Sequence, residues 1–298
     1  MAIDHYLESP SSPNVCDVFK AAARDTWARI EFSRKTPRMK IHETTITQNL
    51  VYEMQLLKLR FPTVEYELFE SINEKANGND LELDILHANG NTYNYAVQAK
   101  IIYHNRGKNG VKLNEGHYKQ FKHFVGKEPN RKNQIDLLIK YALDYKRIPL
   151  YLLYNFINRD FRATVANELY GCTIVPAQYL KDNHTSLDGN LDDKVKFSDL
   201  HLQPAFPWHD LICWMPGLDT DDYLSKLLIK DQKVIKSISS KPLPSEDKWI
   251  NMISSQQELS ISNNTAKYVD SVNSESDFNT FFNPKYRISV NTSNLRMI

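Results

Sequence analysis

Residues 79–100 read Asn79-Asp-Leu-Glu-Leu-Asp-Ile-Leu-His-Ala-Asn-Gly-Asn-Thr-Tyr-Asn-Tyr-Ala-Val-Gln-Ala-Lys100 and alternate polar with apolar side chains on either side of an Asn-Gly pair. Side chains on a strand point alternately to its two faces, so Asp80, Glu82 and Asp84 share one face of a first strand. Gln98 and Lys100 share one face of a second. Asn-Gly is a strong short-range hairpin signal, which places the turn at Ala88-Asn-Gly-Asn. If the hairpin closes there, facing residue numbers sum to about 179, and Gln98 falls between Asp80 and Glu82 across the ladder. On this reading Leu81, Leu83 and Ile85 face the core and the acids face away from it. Asp84 lies nearer the turn and drops out of the cluster.

Working outward, residues 15–32 carry apolar side chains near the helical period, and Ile46, Leu50, Met54 and Leu57 make the buried stripe of a second helix that begins at Glu43. Thr45 or Thr47 is the expected cap, and Pro62 ends the helix. Residues 63–70 alternate with period two and read as a strand. Residues 104–115, rich in Gly, Asn and Lys, read as a flexible loop, and residues 118–125 as a short helix. Residues 134–145 form an amphipathic helix. The apolar run Pro149-Leu-Tyr-Leu-Leu-Tyr-Asn155 has the pattern of a strand covered on both faces, and a short strand follows at Cys172-Thr-Ile-Val. This order predicts an α/β fold with a mixed central sheet flanked by helices. The expected division is an N-terminal helix and linker over 1–40, the α/β domain over 41–235, and a polar, partly disordered tail over 236–298.

The chain of 298 residues is long enough for a sizeable core, and its formal net charge of +1 names no partner. Charge is uneven, however. Residues 100–147 hold twelve Lys or Arg against four acids. Such a basic segment attracts a polyanion, and from charge alone it equally describes a set of solvated lysines. Cys16, Cys172 and Cys213 lack the spacing of a zinc site or a disulfide framework and read as small core residues in a reducing compartment. The first residues lack a signal-peptide pattern, and the longest apolar stretch, 148–157, is too short to span a bilayer. The expectation is a cytoplasmic protein that does not enter the membrane.

The hairpin residues suit phosphodiester chemistry. A hard divalent cation needs oxygen ligands, which Asp80, Glu82, the side-chain carbonyl of Gln98 and the backbone carbonyl of Ala99 can supply. Lys100 can hold the attacking water or stabilise charge on the phosphate. The competing reading is an exposed strand that presents a wet face, with Lys100 snorkelling at its end. Other constellations are weaker. His104, His117 and His123 lack zinc spacing, Trp208-His-Asp has no nucleophile in a recognisable turn, and Arg106-Gly-Lys-Asn-Gly is no phosphate loop. Trp208 reads as core and His209 as surface. Tyr118 and Gln134 either line a nucleic-acid surface or pack and cap helices.

Gly78-Asn-Asp80, the acidic strand and Val97-Gln-Ala-Lys100 resemble the core of the PD-(D/E)xK nuclease superfamily, in the Gln-x-Lys variant of Mrr-like restriction endonucleases. The match runs over about residues 41–155 and includes a helix and Pro-Leu-Tyr strand like those of a poorly characterised bacterial family within the superfamily. The resemblance implies a restriction-endonuclease-like fold and a magnesium-dependent deoxyribonuclease, manganese serving as a substitute, with a role in defence against foreign DNA. It carries metal binding and catalysis over to Asp80, Gln98 and Lys100, to which the reading of the hairpin adds Glu82 in both roles and the Ala99 carbonyl as a metal ligand. It also requires a helix glutamate, Glu43 or Glu53, of which Glu43 is favoured. The implied partner is double-stranded DNA, contacted by Arg106, Lys108, Lys112, Lys119, Lys122 and Gln134, with a homodimer to cut both strands. Two rival functions are a module that kept the fold and lost catalysis, and an interaction or assembly protein.

Overall fold

A computed structural model describes residues 3–71, 81–87, 90, 92–107, 110–119, 121, 123–125, 131–158, 166–185, 194–213, 249–252 and 284–292. Helix α1 (Val15–Lys35) is opened by a reciprocal cap: Asn14 Oδ1 accepts from Asp17 N at 3.0 Å, and Asp17 Oδ2 accepts from Asn14 N at 3.2 Å. Helix α2 (Glu43–Arg60) starts after His42 and has no side-chain cap, so neither Thr45 nor Thr47 plays that part. Thr47 sits inside the helix instead, its hydroxyl 2.9 Å from the Tyr154 hydroxyl.

The quoted stretch folds as expected into β2 (Leu81–Leu86) and β3 (Thr92–Gly107), preceded by β1 (Tyr66–Ser71). Gly90 takes φ +80°, a conformation that a side chain would disfavour, and its N–H donates to His87 O at 2.9 Å. Leu81 faces Val97 and Leu86 faces Thr92, so partners sum to 178, one less than the turn chemistry suggested. Strand β3 outruns its partner and continues through the expected loop, pairing with β4 (Gly110–Tyr118). The expected short helix after Tyr118 is likewise absent among the described residues. β5 (Phe124–Val125) and β6 (Lys132–Asn133) form a small hairpin there, leading into α3 (Gln134–Asp144).

The remaining elements are β7 (Ile148–Tyr154), β8 (Cys172–Pro176), α4 (Ala177–Asn183), β9 (Val195–Lys196), α5 (Phe197–Leu200), β10 (Phe206–Pro207), β11 (Trp249–Asn251) and β12 (Tyr286–Asn291). The central sheet runs β10, β8, β7, β3, β2, β12, β1, β11, with β4 and β9 continuing from β3. Pairs β3–β7 and β2–β12 are parallel and the others antiparallel, which makes a mixed α/β sheet flanked by helices. The Leu81, Leu83 and Ile85 face lies against α1 and α2: Tyr66 donates to Met54 O, and Cys172 contacts Thr26. Helix α3 covers the opposite face, where Tyr141 meets Glu82.

Three expectations are corrected by this arrangement. First, part of the polar tail is a core strand: β12 is inserted between β2 and β1 and buries Ile288 and Val290. Second, the buried hydrophobic residues from Ile3 to Val290 form one cluster among the described residues, so the core draws on both sides of positions 40 and 235. Third, Cys16 and Cys213 form a disulfide with 5.1 Å between Cα atoms, leaving Cys172 as the buried free thiol. Pair spacing in sequence could not reveal a bridge between residues 197 apart. Disulfides persist in oxidising surroundings, so the cysteines no longer support a reducing compartment. No helix among the described residues is long and apolar enough to cross a membrane.

Candidate functional site

Two helices begin at the same place. Glu43 is the first residue of α2 and Gln134 the first of α3, and both reach the Lys100 ammonium in the middle of β3. Lys100 Nζ donates to Gln134 Oε1 at 2.9 Å and lies 3.9 Å from Glu43 Oε1. The lysine is 3 % exposed, so its charge is balanced by these two oxygen-bearing groups rather than by bulk water. Glu53, the other helix glutamate, is placed elsewhere: it accepts from Arg29 at 3.0 Å and from the Ile3 amide at 3.4 Å.

Gln98 shares the Lys100 face of β3 and is 1 % exposed. Its amide nitrogen reaches Ala99 O only at 3.5 Å, and its Oε1 has no hydrogen-bond partner among the described residues. A buried carbonyl left without a donor costs free energy unless a cation or water meets it. Asp80 lies outside the described residues; the first described pair of β2 with β3 is Leu81 with Val97, the neighbour of Gln98.

Glu82, expected among the metal ligands, is engaged by other side chains in this structure. It is buried on the same face and both carboxylate oxygens are taken: Oε1 accepts from the Tyr141 hydroxyl at 2.5 Å, and Oε2 meets Arg147 at 2.8 Å and Arg287 at 2.6 Å. Asp84 completes the group with Arg147 at 2.6 Å. Two carboxylates therefore face two guanidiniums beneath α3, and the acids are buried rather than turned to solvent. Burial alone would lower the Arg147 pKa, but Asp84 and Glu82 outweigh it and raise it above the ordinary value. Burial, and then Glu82, push the Tyr141 hydroxyl far up. Arg147 had been counted with the basic surface, and Arg287 lay in the supposed tail. The available signal was the Leu-Glu-Leu-Asp-Ile alternation in a strand covered on both sides, since buried acids demand buried cations.

Tyr103, on the face of β3 opposite Lys100, and Phe124, next to His123, each carry basic side chains. Lys119 Nζ is 5.1 Å and Arg34 Cζ 5.7 Å from the centre of the Tyr103 ring, and Arg131 Cζ is 3.9 Å from that of Phe124. The Tyr103 hydroxyl is pushed up by burial and by Glu43. His123 is pushed down by burial and by the charges of Lys100 and Arg131, and its carbonyl accepts the Gln134 amide at 2.8 Å. Lys112 is exposed and 3.9 Å from Glu115. The Arg106 side chain, Lys108 and Lys122 lie outside the described residues. Tyr118 packs inward, its hydroxyl donating to Asn155 at 2.5 Å, and His209 is buried rather than on the surface.

A hard cation requires several oxygen donors, and Gln98 Oε1 and the Glu43 carboxylate are of that kind. No group of three His, Cys, Asp or Glu side chains suited to a metal occurs among the described residues.

The model of one protein family matches residues 15–292, thus including both α1 and the inserted strand β12. The chain belongs to DUF6615. It is described as a family of unknown function, and no curated protein or solved structure matches the chain. Membership in DUF6615 therefore assigns no chemistry to Lys100 or Gln98.

Proposed function

We propose that this protein is a metal-dependent deoxyribonuclease of the restriction-endonuclease-like kind, with Lys100 at its centre. The observation that carries the reading is the Lys100 ammonium held between Gln134 and Glu43 on the same strand face as the Gln98 oxygen, which has no hydrogen-bond partner among the described residues. Gln98, Glu43 and Asp80 would hold magnesium or manganese, which supplies charge neutralisation at the phosphate and a more acidic bound water. Lys100 supplies the rest. Held in place by Gln134 and Glu43, its ammonium donates to a phosphate oxygen or orients the attacking water, and burial strengthens its field there. Glu82 and Asp84 take no part in the chemistry. Their role is to fix β2 and β12 beneath α3.

The test is cleavage of plasmid and oligonucleotide DNA with magnesium against the same reaction in EDTA. Lys100→Met keeps the side chain's length and removes its charge, and should lower the rate at least about a hundredfold with an unchanged circular dichroism spectrum. Wild-type rates in that variant would refute the assignment. The neutral Gln98 favours a second reading, a module that binds nucleic acid without cutting it. Salt-sensitive binding with no cleavage product would select it.

A further inference from the structure

The link between α1 and α2 is tied to β3 at both ends. At its start Arg34 Nη2 donates to Ile102 O at 2.8 Å, two residues beyond Lys100, and at its end Glu43 Oε1 lies 3.9 Å from Lys100 Nζ. Between them runs Lys35-Thr-Pro-Arg-Met-Lys-Ile-His42, and residues 32–42 hold four Lys or Arg and no acid. Lys35 pairs with Glu31, whereas Arg38 and Lys40 are exposed and have no ion-pair partner among the described residues. Lys40 precedes Glu43 by three residues, a span of at most about 11 Å. Arg38 also occupies a costly backbone position. It takes φ +63° in the turn that the Met39 amide closes on Thr36 O at 3.4 Å, where Gly or Asn is favoured. Lys146 is the other described residue with a side chain at such a φ, and it follows α3 in the left-handed cap on which helices commonly stop. Helix α1 has already closed at Thr36, two residues before Arg38.

From this placement we infer that the α1–α2 link is a DNA-docking surface, on which Arg38 and Lys40 neutralise backbone phosphates on the Glu43 side of Lys100. The inference rests on the nuclease reading of Lys100 and names the surface that carries its substrate. Exposed cations by themselves describe any solvated face. Here two of them lack a counter-charge and stand on a loop held at both ends beside a buried lysine. A phosphate chain that crosses Lys100 meets them with little further ordering of the loop, and each contact releases counterions from the DNA. Such contacts set the position of the backbone and read no base. The left-handed Arg38 fits this role, since a guanidinium is kept where the backbone alone would favour glycine.

The experiment is fluorescence anisotropy on the full chain in EDTA with a labelled blunt DNA duplex, repeated from about 50 to 200 mM salt. Arg38→Gly and Lys40→Gln should each weaken binding about fivefold or more and lower the slope of log K against log salt by about one. Glycine suits the Arg38 backbone, so the melting temperature of Arg38→Gly should hold or rise. Lys146→Gly is the matched control: it removes one charge at the same kind of φ, past the end of α3 remote from Gln134, and should bind like wild type. Wild-type affinity and slope in both link variants overturn the inference, as does an equal loss in Lys146→Gly. Arg38-dependent binding of phosphatidylglycerol vesicles, with DNA binding untouched, would assign the link to a lipid surface and overturn it too. The two readings fail differently. Link-dependent DNA binding without magnesium-dependent cleavage removes the nuclease, whereas cleavage by link variants that bind and cut like wild type removes this surface.

Discussion

At the scale of single residues, one face of the sheet carries two buried charge systems with different fates. Lys100 retains neighbours that can exchange partners with a substrate, whereas Glu82 is saturated by Tyr141, Arg147 and Arg287. Removing one member of a buried ion cluster leaves the others uncompensated, so Glu82→Ala should cost about 3–5 kcal/mol, read as a lower urea midpoint. Any catalytic rate should then follow the folded fraction alone; loss of rate in fully folded Glu82→Ala would return Glu82 to the site. Period-two alternation was enough to put Gln98 and Lys100 together. It could not show that Glu82 was spent, because Arg287 lies 205 residues away. A second residue-scale effect concerns acid. His201 is half-buried between Thr173 and Phe197, and desolvation lowers its pKa from 6.5 to about 3. The unfolded chain takes up this proton first as pH falls, so the stability His201 contributes is complete above pH 6.5 and is lost on descent towards 3. Between pH 7 and 5 the melting temperature of His201→Gln should fall less than that of wild type. Parallel falls would contradict an imidazole held neutral in the fold.

At the scale of elements, local chemistry made α1, α2, α3, β7 and the Asn89-Gly90 hairpin legible, because caps, prolines and periodicity act within a few residues. The extension of β3 into β4 was hidden by the Gly, Asn and Lys content of residues 104–115, which favours a loop until a partner strand is supplied. Strand β12 was hidden more thoroughly, since Tyr-Arg-Ile-Ser-Val-Asn is short and lies in a Ser- and Asn-rich context. Its place between β1 and β2 has a strong consequence. A chain ending at residue 283 lacks the ladder partners of both strands and the Arg287 counter-charge of Glu82 and Asp84. We expect that truncation to lose the cooperative thermal transition and to accumulate as insoluble protein. A soluble truncated chain melting like the full protein would mean that the sheet does not depend on β12.

At the scale of the whole molecule, the Cys16–Cys213 bridge ties the first turn of α1 to the chain just past Leu211 and encloses most of the sheet in one covalent loop. This pairing was illegible because its spacing follows from the tertiary fold alone. Trp208, whose indole donates to Phe19 O at 2.8 Å, already packs the same region against α1, so the bridge joins surfaces that are in contact without it. Its main effect is therefore on the unfolded chain, where closing a loop of this length corresponds to about 5 kcal/mol as an upper value. Wild type under non-reducing conditions should melt well above the same protein in dithiothreitol, and Cys16→Ser should match the reduced form whether or not reductant is present. Cys172 will not confuse the comparison, because burial pushes its thiol up to about 12 and keeps it unreactive. If reductant left the melting temperature of wild type unchanged, the two cysteines would be unbridged thiols in solution, and the fold would be held at that corner by Phe19 and Trp208 packing.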